Sequence, residues 1–322
     1  MRTQWLGGSR VQVTALGFGG AGIGNLFRAV DDETAGRAID AAWQAGIRFF
    51  DTSPHYGLGL SERRLGAALT SHPRDDFTIA TKVGRLLVPT PETAHRIDDA
   101  AGFDVPADHT RRWDFSADGV RRSLESSLTR LRLDRVDVVL IHDPDEHWRQ
   151  AVEEAYPALH DLRDQGVVGA VGVGMNQWQM LERFVTETDI DTVLLAGRYT
   201  LLDQSAAPSL LPRCLDRGVS VLAAGVFNSG VLATEEPGRT YDYRPIPDAL
   251  YARATRIAQV CRSHRVPLPQ AAMAFTARHP AVASLVVGAQ SADHVTRNVE
   301  LAGAPVPDAL WYDLAAEGLV QL

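Results

Sequence analysis

The sequence predicts a closed (β/α)8 (TIM) barrel with long loops on its C-terminal face. Apolar runs and helical patterns alternate eight times along the chain, and no break in composition divides them. A length of 322 residues suits one large barrel with insertions, so residues 1–322 are expected to form a single domain. Several of the apolar runs are short and continuous, as strands covered on both faces must be.

The expected strands are residues 13–19, 48–51, 77–82, 136–142, 167–174, 192–196, 219–224 and 284–287. The expected helices are 32–45, 61–70, 117–131, 149–165, 177–186, 207–217, 247–264 and 292–302. Asp31 or Asp32 can cap the first helix, where acidic charge is favoured. Gly46-Ile47, Gly166-Val167 and Gly218-Val219 each end a helix just before a strand, and the glycine suits a left-handed residue. Two irregular stretches, 84–116 and 225–247, follow a strand and precede a helix. Both therefore lie on the C-terminal face, where long loops shape pockets.

Composition narrows the function. A net charge of −8 argues against a nucleic-acid partner. No apolar run reaches the ~20 residues of a membrane span, and residues 1–10 lack the apolar segment of a secretory signal. Cys214 and Cys261 stand far apart, without disulfide-scaffold or metal spacing, and fit a reducing cytoplasm. Gly17-Phe-Gly19-Gly20-Ala-Gly22 matches GxGxxG, but no helix follows it directly, so it reads as a loop that lets a ligand come close. His142 and His147 are five residues apart with Pro144 between them, which does not suit a helical metal motif; no metal is expected.

Among 32 basic residues one is lysine: Lys82, at the end of the apolar segment 77–82. The expected strand before it ends in Asp51, with Tyr56 five residues beyond, and the strand after it ends in His142. In a (β/α)8 barrel adjacent strand ends converge above the pore, so the four groups meet. Singly, Asp51 reads as a loop cap, Tyr56 as a packing aromatic, His142 as a satisfied strand-end histidine and Lys82 as a cation reaching solvent. Together, with the one lysine among them, they read as a site. A phenol near pKa 10 is a poor acid–base at neutral pH. A nearby ammonium lowers that value, and a carboxylate offsets the ammonium's burial. An imidazole can orient a substrate oxygen.

With these residues in place, the sequence resembles the aldo-keto reductase superfamily nearly end to end. The resemblance rests on Phe50-Asp51-Thr-Ser-Pro-His55-Tyr56-Gly57, Leu60-Ser-Glu62-Arg-Arg-Leu-Gly66, Ala80-Thr-Lys82-Val-Gly84, Ser123-Leu-Glu125-Ser-Ser-Leu-Thr-Arg-Leu-Arg-Leu-Asp134 and Val138-Val-Leu-Ile-His142. It implies a barrel that binds an extended nicotinamide dinucleotide without a Rossmann domain. It implies Tyr56 as general acid–base, Lys82 paired with Asp51 as its activator, and His142 orienting substrate. On the cofactor side it implies Gly19, Gly20, Asp51, Asn176, Gly225, Phe227, Asn228, Ser229, Gly288, Gln290, Ser291, His294, Arg297 and Asn298.

The cofactor pattern departs from many relatives. Met175-Asn176 stands for Ser-Asn, and Leu195-Ala196 for Asn-Gln. Ala224 or Gly225 occupies the place of a stacking tyrosine, with Phe227 as a candidate substitute. Gly288 and His294 replace the Lys and Arg that hold a 2′-phosphate in NADPH-specific relatives. A phosphate needs strong cationic partners, so the pattern points to NAD; Arg297 keeps NADP open, and Asn298 can hold adenine.

Three stretches are similar to the aldose 1-dehydrogenase branch: Leu194 to Gln204, His142 to Trp148 and Gly225 to Gly230. That branch includes L-fucose (D-threo-aldose) and L-galactose dehydrogenases and pyridoxal 4-dehydrogenase. The resemblance implies that a ring hemiacetal hydroxyl gives its proton to Tyr56 while the hydrogen on C1 leaves as hydride to C4 of nicotinamide, giving a lactone. Candidate substrate contacts are His55, Trp113, Phe115, His147, Trp148, Arg198 and Tyr199. Pyridoxal 4-dehydrogenase, a general aldehyde or ketone reductase, a regulatory barrel like the potassium-channel β-subunits and a metal hydrolase are the alternatives. The expected partner is a small molecule, and a homo-oligomer is compatible with the sequence.

Overall fold

The computed structural model describes residues 1–321. Eight parallel strands close a barrel in chain order: β1 Leu16–Gly19, β2 Phe49–Asp51, β3 Thr78–Val83, β4 Val138–His142, β5 Ala170–Met175, β6 Thr192–Ala196, β7 Ser220–Ala224 and β8 Val282–Gly288, which pairs back onto β1. All eight expected strands are present, with ends moved by a few residues. Val13 and Thr14, expected as the start of β1, instead belong to a hairpin in which Gln12–Thr14 pairs antiparallel with Thr3–Trp5. The hairpin brings Leu6, Val11 and Val13 against Phe49, Ala80, Val138 and Ala170 of the barrel interior. That plug closes the lower end of the pore, so the barrel opens only where the strands end.

Period-two alternation decides what faces the pore. Phe49 and Asp51 share a face of β2, as do Ala80 and Lys82 of β3, and Leu140 and His142 of β4. The lower member of each pair fills the interior. The upper member emerges at the open end.

The helices start and stop where local chemistry directs. Asp31 accepts a hydrogen bond from the Thr34 N–H at 2.6 Å and caps Asp32–Gln44. Gly46, Gly166 and Gly218 all have positive φ at their αβ turns. Leu60–Leu69 docks through Gly66, where a Cβ would lie 2.1 Å from the Leu131 carbonyl oxygen. From the same helix, fully buried Glu62 accepts hydrogen bonds from Thr81 Oγ1 at 2.7 Å and Arg130 Nε at 2.5 Å. The back of β3 is thereby fixed behind Lys82.

The seventh helix differs from expectation. The stretch 247–264 forms Asp248–Ser263, but a further helix, Leu268–Thr276, packs on β8 and on Ala292–Gly303. Leu268–Thr276 takes the barrel position, and Asp248–Ser263 lies outside it against Asp308–Ala316. Leu268–Thr276 is buried at nearly every position. It therefore lacks the polar face whose period reveals a half-buried helix.

Candidate active site

Lys82 reaches the open end of the barrel with its side chain 1% exposed. Its Nζ donates to Asp51 Oδ1 at 2.7 Å, Asp51 Oδ2 at 2.9 Å and the Thr52 carbonyl at 2.8 Å. Gly174 leaves the space beside it, since even a Cβ there would stand 3.8 Å from Lys82 Cε. Burial pushes the Asp51 carboxyl up, and the Lys82 ammonium pulls it back down. All three ammonium hydrogens have acceptors, which is the condition for a buried ion pair to persist.

The Tyr56 ring lies 4.7 Å, centroid to Nζ, from the ammonium. Its loop is held by a 2.8 Å hydrogen bond between Thr52 Oγ1 and Ser61 Oγ. Burial holds the Tyr56 phenol well above its ordinary value of 10, and Asp51, Tyr243 and Asp143 push the same way. The Arg85 cation pulls the other way. Here Tyr56 carries its proton. His142 Nδ1 is 3.1 Å from Ser53 Oγ. Burial first, then the Arg85 and Lys82 cations, keep the imidazole neutral.

These groups open into a cavity of about 730 Å³. The long 84–116 segment is ordered around the hairpin Arg85–Pro89 and His109–Trp113. Arg111 of that hairpin binds both Asp98 carboxylate oxygens and the His55 carbonyl, seating Phe103 edge-on against His55. At the mouth, Phe27 and Tyr243 meet across loops from β1 and β7 with ring centroids 5.6 Å apart. Asp143 faces both this cavity and a more polar one of about 440 Å³, and Arg85 pairs with it. Burial raises the Asp143 carboxyl to about 6 against the pull of Arg85. We expect Asp143→Asn to remove an inflection around pH 6 from the substrate KM profile, read from steady-state kinetics across that range.

The structure brings together Asp51, His55, Tyr56, Lys82, His142, Gly19, Asn176, Gly225 and Gly288 on the larger cavity. Trp113, His147 and Arg198 line the smaller one, although Arg198 is already paired with Asp242 at 2.5 Å. Other expected contacts lie elsewhere. Phe115 is fully buried beneath Gly84, Trp148 packs on Phe184, and Tyr199 packs on Phe275. Gly20 accommodates the chain itself, since a Cβ would lie 2.5 Å from Ser61 Oγ. Asn228 is spent on Gly197 O and Thr200 Oγ1, while Phe227 packs against the core and, like Ser229, lines neither cavity. Gln290 ties down the β1 loop through the Leu26 carbonyl at 3.0 Å. Ser291 caps the Ala292–Gly303 helix, with His294 and Arg297 on its exposed surface; Asn298 reaches the Gly288 carbonyl at 3.4 Å.

Sequence reasoning missed Phe27, Arg85, Phe103, Asp143 and Tyr243. Asp143 directly follows the strand-end His142 and was accessible to the same rule that found Lys82 and His142, whereas Arg85 stands two residues beyond the end of β3. The three aromatics sit in loops, where no periodicity reports direction.

A closed barrel with a buried Lys–Asp pair, a tyrosine and a histidine at its mouth defines an oxidoreductase site, and the chain belongs to the aldo/keto reductase family, whose profile matches residues 15–315. Members of that family use NAD(P)H. The chain is 48% identical to a D-threo-aldose 1-dehydrogenase of a Pseudomonas species, covering 96% of this chain and 95% of that protein. It is 37% identical to pyridoxal 4-dehydrogenase of Microbacterium luteolum, covering 98% and 97%. It is 31% identical to L-galactose dehydrogenase of Arabidopsis thaliana, covering 91% and 86%. Among solved structures, an aldo-keto reductase of Bacillus halodurans in its holo form aligns with a TM-score of 0.77 at 24% identity, covering 100% of this chain and 97% of that one. That likeness bears on the fold. Among the described residues, no helix is long and apolar enough to cross a membrane.

Proposed function

We propose that the protein is an NAD-preferring aldose 1-dehydrogenase that oxidises the C1 hemiacetal hydroxyl of an L-fucose or D-threo-aldose type sugar to a lactone. Residues 1–322 act as one domain, in the cytoplasm. The convergence of Asp51, Tyr56, Lys82 and His142 on one cavity carries this reading. The 48% identity to a D-threo-aldose 1-dehydrogenase supports the substrate class.

The residues present fit an extended dinucleotide. Gly19, Gly225 and Gly288 leave the cavity wall bare of side chains, and a Cβ at Gly288 would meet only the Gly19 carbonyl, at 3.9 Å. Together with Asn176 they would hold the cofactor. When bound, the oxidised nicotinamide supplies the hydride acceptor and a positive charge. Tyr56 takes the hydroxyl proton, Lys82 stabilises the phenolate, and Asp51 holds Lys82 in place. His142 orients the C1 oxygen. Phe27, Phe103 and Tyr243 suit the C–H face of a ring, and His55, Arg85 and Asp143 suit its hydroxyls. The same aromatic walls favour the hemiacetal form of pyridoxal as the second reading.

The test is formation of reduced nicotinamide with L-fucose, D-arabinose, L-galactose and pyridoxal, each with NAD and NADP. A sugar rate with NAD is the expected result; a rate with pyridoxal alone moves the substrate and keeps the chemistry. Silence on all four with cofactor bound overturns the proposal in favour of a reductase or regulatory barrel. For cofactor choice, we expect Gly288→Lys combined with His294→Arg to raise kcat/KM for NADP about 10-fold or more by restoring charge-assisted bonds. An unchanged NADP:NAD ratio would locate the preference elsewhere.

A further inference from the structure

Ser53 lies between the two histidines of the cavity and is fully buried. Its Oγ accepts a hydrogen bond from the His55 backbone N–H at 3.1 Å and stands 3.1 Å from His142 Nδ1. We propose that Ser53 sets the tautomer of His142, making its Nε2 an obligate hydrogen-bond donor to the reacting oxygen.

The argument is one of proton counting. A serine hydroxyl has one hydrogen and two acceptor lone pairs. The His55 N–H occupies one lone pair. Among the described residues, the only other hydrogen-bond partner of Ser53 Oγ is His142 Nδ1. If Nδ1 carried the ring proton, the Ser53 hydroxyl would be a buried donor without an acceptor, which folded proteins avoid. The hydroxyl therefore donates to Nδ1. A neutral imidazole has a single N–H, and with Nδ1 accepting, that proton sits on Nε2.

Nε2 lies on the far side of the ring from Ser53, 3.5 Å from Asp143 Oδ2, and the ring lines the catalytic cavity. In the proposed oxidation, charge develops on the C1 oxygen as its proton leaves for Tyr56. An N–H donor aimed there stabilises that charge. An unprotonated Nε2 would instead compete with Tyr56 for the same proton. The Tyr56 N–H also bonds the Ser53 carbonyl, at 3.1 Å, so one turn positions both the acid–base and the residue that sets its partner's tautomer. Ser53 is thus a positioning residue, and its effect on turnover rests on the proposed function.

The test is ¹⁵N NMR of histidine-labelled full-length protein, with the His142 signals assigned by their loss in His142→Gln. In the native protein we expect protonated Nε2 and unprotonated Nδ1. In Ser53→Ala we expect part of the population to move to Nδ1–H, with Ser53→Thr restoring the native pattern. Kinetically, Ser53→Ala should lower kcat about 10-fold with the dinucleotide Kd unchanged. Native Nδ1–H, or an unmoved tautomer in Ser53→Ala, overturns the proposal. So does a moved tautomer with unchanged kcat. If the native protein oxidises none of the sugars or pyridoxal, the substrate reading falls, and the NMR result alone decides for or against Ser53.

Discussion

Tyr56→Phe lowers turnover by roughly 10²–10⁴-fold while dinucleotide binding persists, because only the proton-transfer group is lost. The phenyl ring keeps its shape beside Lys82 and Phe103, so the cavity wall is unchanged. The pH dependence carries a second signature. Burial and the neighbouring acidic groups hold the Tyr56 phenol well above 10, so it is protonated at neutral pH. Oxidation needs the phenolate and therefore accelerates as pH rises; carbonyl reduction needs the phenol and slows. Tyr56→Phe removes both limbs. Steady-state kinetics in both directions, with a fluorescence titration of the dinucleotide, checks all of this. Loss of cofactor binding together with turnover would contradict the assigned role.

Lys82→Met produces the second large effect, on stability as well as rate. The substitution keeps a side chain of similar length but leaves the Asp51 carboxyl buried without its cation. Breaking a buried ion pair from one side costs on the order of 3–5 kcal/mol when the remaining group stays charged. Asp51 has a way to avoid that cost. Burial already raises its pKa, and loss of Lys82 removes the influence that lowers it. A carboxyl raised in the folded state binds its proton more tightly folded than unfolded. Its favourable contribution is complete below the unfolded value and is lost as pH rises through the folded one. Lys82→Met therefore loses most stability at neutral and alkaline pH and regains part of it in acid. Thermal unfolding across pH checks the direction. A deficit that grows as pH falls would show that Asp51 is not the group left unpaired.

The sugar reading and the fold meet in the loops above the barrel. Arg111 couples the 84–116 segment to the His55 backbone, and Tyr243 comes from the β7 loop to meet Phe27 of the β1 loop. The proposed catalytic groups stand on strands and a short turn, while the aromatic walls stand on the longest insertions. Under the proposed function, chemistry and specificity are carried by different classes of element. This is how one barrel supports varied substrates.

The sequence alone was sufficient for the eight strands, the glycine turns and the meeting of Asp51, Tyr56, Lys82 and His142. Buried strands announce themselves as short apolar runs, and strand-end position in a closed barrel is already a spatial statement. The same local rules cannot report where a loop residue lands. Phe115, Trp148 and Tyr199 have the composition of pocket residues, but long-range packing placed them beneath Gly84, on Phe184 and on Phe275. Asn228 has amide groups suited to a cofactor, yet Gly197 and Thr200 had first claim on them. Leu268–Thr276 escaped notice because complete burial removes the polar face that marks a helix. The proton state of Tyr56 depended on the depth of the cavity, a property of the closed barrel, because desolvation grows with everything packed around a group and not with its neighbours in the chain.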